Sequence, residues 1–101
     1  MTVAGRTGST AEITCDLQVS ASYIHWYQFQ EGKAPRRLLI FMLSNSRSVV
    51  DTGISRAKYQ AFKRVENNYG LLLKNLDKSD SAVYSCAIWT GTVIRTCLVL
   101  H

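Results

Sequence analysis

The sequence predicts an all-β domain, two antiparallel sheets packed face to face as a sandwich. Two observations carry the prediction. Apolar and polar residues alternate in short runs, and turn residues recur about every ten positions, with no long segment of helical period. Five residues also stand at telling offsets: Trp26 is eleven positions after Cys15, Cys86 is seventy-one after it, Tyr84 is two before Cys86, and Asp80 is four before Tyr84. The 101 residues suffice for one domain. A hydrophobic content of 47% is ordinary for a globular chain, and one Pro with six Gly excludes collagenous or low-complexity sequence.

The strands follow in order. Residues 1–10 are small and polar; Thr2-Val3-Ala4 reads as a short edge strand and Gly8-Ser9-Thr10 as a turn. Ala11, Ile13, Cys15 and Leu17 alternate with Glu12, Thr14 and Asp16, the period of a half-buried strand. Gln18 to Ser22 is a polar loop. Ile24 to Phe29 is the next strand. With Trp26 inward, Tyr27 and Phe29 point outward, toward a partner or under a loop of the same chain. Glu31 to Pro35 is a turn, and Arg37 to Phe41 an apolar strand. Leu43 to Arg47 is a loop or short hairpin, and Val49-Val50 a short edge strand before the turn Asp51-Thr52-Gly53. Lys58 to Phe62 alternates again, Glu66-Asn67-Asn68 turns, and Tyr69 to Leu76 carries Leu71 and Leu73 on one face. Asp77 to Asp80 is a short helical turn before the strand Ala82 to Ala87. Eight or nine short strands make a sandwich rather than a βαβ fold.

Charge and cysteine content narrow the class. Twelve Lys/Arg against seven Asp/Glu give a net charge of +5. The cations come in scattered pairs (Arg36-Arg37, Arg56 with Lys58, Lys63-Arg64), a solvated basic surface rather than a nucleic-acid arm. No apolar run approaches the ~18 residues of a membrane span. Met1-Thr-Val-Ala-Gly-Arg6 has no apolar signal-peptide core. Three cysteines suit an oxidising compartment, with one thiol, Cys97, left over. A disulfide domain without a leader is expected to be a fragment, or a gene model missing its first exon.

The Cys15, Trp26 and Cys86 spacing, with Tyr84 as a tyrosine corner, is that of an immunoglobulin sandwich. The pattern implies a Cys15–Cys86 disulfide between sheets about 10 Å apart, with the Trp26 indole beside it. Narrower stretches are Ile24-His-Trp-Tyr-Gln28, Gln30-Glu-Gly-Lys-Ala-Pro35, Arg37-Leu-Leu39, Gly53-Ile-Ser-Arg56 and Asp80-Ser-Ala-Val-Tyr-Ser-Cys-Ala-Ile-Trp89. With Ala11 to Leu17, they make the chain resemble a T-cell receptor gamma chain variable domain, an immunoglobulin V-type sandwich with Greek-key connections, from about Ser9 to Trp89. The resemblance implies that Tyr27, Phe29, Pro35 and Leu38 sit on the sheet that pairs with a delta chain variable domain, and that Lys58 pairs with Asp80. It implies ligand-contacting loops that include Ser20, Ala21, Ser22 and Tyr23, then Ser44, Asn45 and Ser46, then Ile88 and Trp89. It also implies work at the cell surface against a protein ligand, with signalling left to other subunits.

The sequence departs from that family at both ends. Few residues precede Cys15, so the first strand is expected to be incomplete, and Ser85 stands where an aromatic is usual. No Phe-Gly-x-Gly follows Cys86; that motif forms the family's last strand and its bulge. We therefore expect a V-type domain over residues 1–89 and an atypical tail over 90–101 in place of the joining segment. Gly91-Thr92-Val93 can be encoded as GGC-ACA-GTG, which holds the CACAGTG heptamer where receptor gene segments are cut. The tail then reads as read-through from an unrearranged germline segment; the other reading is a real last strand beside residues 82–87.

Catalytic chemistry finds little footing. His25 reads as an outward-facing surface or interface histidine. Cys97 and His101 share an i, i+4 spacing but no further ligand pair, so no metal is expected. No phosphate loop or glycosylation sequon is present, and no enzyme activity, cofactor or nucleic-acid partner is expected. Two other functions stay open: a non-rearranging cell-surface receptor or adhesion domain, and a translated germline segment with no function.

Overall fold

A computed structural model describes residues 2–3, 8–16, 23–64, 68–88 and 94–100. Nine strands appear among them: β1 Thr2–Val3, β2 Ala11–Asp16, β3 Tyr23–Phe29, β4 Arg36–Met42, β5 Arg47–Val50, β6 Tyr59–Lys63, β7 Asn68–Leu73, β8 Ala82–Ile88 and β9 Ile94–Leu100. One sheet has the order β1-β9-β8-β3-β4-β5, the other β2-β7-β6. Every pair is antiparallel except β1 with β9.

Alternation explains which residues fill the space between the sheets. Ile13 and Cys15 of β2, Leu71 and Leu73 of β7, and Tyr59 and Ala61 of β6 face Ile24 and Trp26 of β3, Leu39 and Phe41 of β4, and Tyr84 and Cys86 of β8. Cys15 and Cys86 form the disulfide between the sheets, with Cα atoms 6.5 Å apart. Trp26 pairs in register with Cys86 and is fully buried beside it. Burial of these side chains, each contributing about 2 kcal/mol, is what holds the two layers together.

The two ends of the chain differ from the simplest expectation. Ile94–Leu100 forms a full strand on β8, the place that the last-strand reading of the tail gives it. It has a bulge: Leu98 pairs with Tyr84 and Thr96 with Ser85, which leaves Cys97 as the extra residue. This bulge is made without a Phe-Gly-x-Gly motif. The described residues before β2 make two sets of backbone contacts, one with β9 and one with Leu76, beyond the end of β7. Thr2 and Val3 pair with Val99 and Leu100 of the large sheet, while Gly8 and Ser9 exchange backbone hydrogen bonds of 2.8 Å with Leu76. Gly8 adopts φ +86°, a conformation costly for a side-chain-bearing residue.

Candidate functional site

A polar strut under the sandwich fixes its geometry. Asp77 caps the single turn of 3-10 helix Lys78–Asp80, accepting from the Ser79 N–H, while the Asp77 N–H donates to Asp80 Oδ2 at 2.8 Å. The Lys58 ammonium donates to the same carboxylate oxygen at 2.6 Å and to the Asn75 carbonyl at 2.9 Å. The Tyr84 hydroxyl donates to the Asp80 carbonyl at 2.6 Å and accepts from Gln28 Nε2 at 3.0 Å, and Gln28 Oε1 accepts from Arg36. Burial pushes the Tyr84 hydroxyl well above the usual phenol range, so it stays protonated and keeps donating. Gln30 Nε2 also donates to the Ser79 and Ser81 carbonyls, tying β3 to the same turn. The pairing of Lys58 with Asp80 was legible in the sequence; the extension through Gln28 to Arg36 was not.

Above this strut, the outward face of the large sheet carries an aromatic stripe. His25, Tyr27 and Phe29 follow one another along β3, with ring centroids 6.4 and 6.3 Å apart. Tyr27 and Phe29 are half-buried, and Pro35 is exposed on the turn before β4. Two residues implicated by the resemblance lie elsewhere. Leu38 is fully buried in the core, because it is the extra residue of a bulge where Trp26 pairs with Leu39 and Tyr27 with Arg37. It presents no surface to a partner. Ile88, expected in a ligand loop, is the last residue of β8, pairs with Ile24 and is 4% exposed, also in the core.

His25 needs a third correction. It lies on the outward face opposite Ile40 but is only 6% exposed rather than a surface histidine. Tyr27 stacks on it, and an Arg37 guanidinium nitrogen sits 3.5 Å from Nδ1. Burial, then the Arg37 charge, lowers its pKa from the usual 6.5. Arg37 Nε in turn donates to both carboxylate oxygens of Asp51, at 2.9 Å to Oδ2 and 3.1 Å to Oδ1, in an ion pair. Nothing in the alternation of the sequence pointed to that pair.

At the loop end, Tyr23 is 47% exposed, and Ser44, Asn45 and Ser46 are exposed in the turn between β4 and β5. The turn is held by Asn45 Oδ1 accepting from the Arg47 N–H, with Ser46 left-handed at φ 54°. Ser20, Ala21, Ser22 and Trp89 lie outside the described residues. The arrangement is a rigid two-layer carrier with one aromatic face and one loop end. It is an arrangement suited to binding.

Known proteins carry the same pattern. A sequence profile described as the immunoglobulin V-set domain matches residues 1–96. The human protein "T cell receptor gamma variable 2" is 51% identical over 87 residues, which is 85% of this chain and 74% of that protein. A human protein described as a "probable non-functional T cell receptor gamma variable" is 51% identical over 84 residues, 82% of this chain and 71% of its own length. A solved "Marsupial T cell receptor" chain superposes with a TM-score of 0.86 at 36% identity, covering 99% of this chain; this chain spans about half, 48%, of that one.

Proposed function

From the premise that the chain belongs to the immunoglobulin V-set family, among T-cell receptor gamma variable domains, we propose that it pairs with a delta chain variable domain and presents ligand-contacting loops at the cell surface. It is a T-cell receptor variable domain, of a receptor family rather than an enzyme family, and such domains work beside a partner chain. The observation that carries the delta-pairing reading is the half-buried Tyr27–Phe29 stripe on the outward face of the large sheet. A pair of aromatic rings left wet on a flat sheet is the composition of an interface core. Tyr23 and the Ser44–Ser46 turn would contact a cell-surface protein ligand, with Trp89 and Ser20 to Ser22 joining them, and other subunits would signal. No helix among the described residues is long and apolar enough to cross a membrane.

The test is a double substitution. Tyr27→Ser with Phe29→Ser should abolish heterodimer formation with a delta variable domain on a sizing column while the circular dichroism spectrum stays that of a β-sandwich. A retained heterodimer would remove that face from the proposal.

A second reading rests on Gly91-Thr92-Val93 and the missing Phe-Gly-x-Gly: the tail is read-through from an unrearranged segment, and the polypeptide has no receptor role. The coding DNA decides it, since absence of CACAGTG across codons 91–93 rules the idea out. A direct splice from this exon to a stalk would instead favour a non-rearranging surface receptor.

A further inference from the structure

Beside Tyr27 and Phe29, the outward face of the large sheet holds a socket that shares His25 with the aromatic stripe. Its walls follow from strand register. Tyr23, Met42 and Arg47 lie in one row across β3, β4 and β5, and His25, Ile40 and Val49 in the next. Cross-strand neighbours share a face, so these six residues lie side by side on it. Tyr23, His25, Ile40, Met42 and Val49 line a cavity of about 300 Å³ there. It is almost wholly apolar, and its two outer walls, Tyr23 and Val49, are 47% and 50% exposed.

The charges around it have one sign to spare. Arg47 ends the Tyr23–Met42 row at the edge strand and is exposed, and its guanidinium has no ion pair among the described residues. Arg56 donates to the Ser48 carbonyl on the same edge. Below the socket, Arg37 is already matched by Asp51, so that pair adds no net charge. An apolar floor with an unmatched cation on its rim is complementary to an apolar ring that carries a carboxylate beside it. We propose that this socket anchors a protein ligand through an aromatic side chain, with an adjacent acidic residue of the ligand loop pairing to Arg47. An aromatic anchor in a pocket beside a charge pair is how protein interfaces concentrate their binding energy. The proposal rests on the recognition reading above and supplies the chemistry of the ligand.

Three capped tetrapeptides serve as probes: Gly-Asp-Trp-Gly, Gly-Lys-Trp-Gly and Gly-Asp-Ala-Gly. They are titrated into the full chain while the methyl resonances of Ile40, Met42 and Val49 are followed by NMR. The Asp-Trp peptide should shift all three saturably, the Lys-Trp peptide should bind about tenfold more weakly, and the Asp-Ala peptide should not bind. Val49→Arg, at an exposed wall where folding is not at risk, should abolish the shifts. Arg47→Glu should reverse the preference between the two Trp peptides. Equal binding of both Trp peptides, or no shift at these methyls, overturns the proposal. So does concentration-dependent shifting of the free chain, which would mean that a second copy fills the socket. Delta pairing by Val49→Arg is measured in parallel. If it is lost, the socket belongs to the pairing face and the ligand proposal fails; if it is kept, the two surfaces are separate and only the peptide result decides.

Discussion

Phe62 lies across Gly70 on the outward face of the small sheet, so closely that a Cβ at position 70 would fall on the ring. Arg64 stacks over the same ring at 5.6 Å and reaches across β7 to an ion pair with Glu12 on β2. Gly70→Val should therefore displace both Phe62 and Arg64 and cost about 1–3 kcal/mol, read as a lower midpoint in urea. Tyr84→Phe removes one hydroxyl but leaves two partners, the Asp80 carbonyl and Gln28, without it in a buried place. A loss of about 2 kcal/mol is expected by the same measurement. His25 gives a pH prediction of definite sign. Its folded pKa lies below the ordinary 6.5, so the unfolded chain takes up its proton first as pH falls. The stability that rests on neutral His25 is complete above about pH 6.5 and declines as pH drops from there toward the lower folded value. Against His25→Gln, the native chain should lose more stability between neutral pH and about pH 5; parallel pH profiles would contradict it.

At the scale of elements, alternation made β2 and β6 legible, because a period of two marks their buried faces, whereas β3 and β8 were marked by Trp26, Tyr84 and Cys86 and bury consecutive residues. What it could not show is a bulge. Leu38 and Leu39 both point inward only because one residue is inserted opposite the Trp26–Tyr27 step, and no residue type announces that insertion. The resemblance places Leu38 on the pairing surface; the bulge turns it into the core. The offsets around Cys15, Trp26, Tyr84 and Cys86 marked Tyr84 as a corner whose hydroxyl bonds backbone a few residues upstream, here the Asp80 carbonyl. The socket was hidden because its walls come from three strands and meet only through register. β9 yields the prediction at this scale. It covers the edge of β8, which carries Tyr84 and Cys86. Ending the chain at Trp89 should expose that edge, lower the melting temperature and promote association of the chain with itself, visible by light scattering. An unchanged melting temperature would mean that the tail adds nothing to the fold.

For the whole molecule, one covalent bond joins the two layers. Closing the loop between Cys15 and Cys86 is worth about 4 kcal/mol in the chain-entropy model, a large share of the stability of a domain of this size. Cys15→Ala or Cys86→Ala should lose several kcal/mol under oxidising conditions, read from chemical denaturation. The rest of the architecture depends on that carrier staying rigid, since both the aromatic stripe and the socket are surfaces of the sheet that holds Cys86.

The first and last strands lie side by side and run the same way, with Thr2 beside Val99 and Val3 beside Leu100. Tension that draws the two ends of the chain apart must slide one strand lengthwise against the other. Their hydrogen bonds then resist as a group, instead of opening singly as they would in a hairpin pulled from its mouth. Tension applied through the first and last strands would therefore load the Thr2–Val99 and Val3–Leu100 pairs together, in shear.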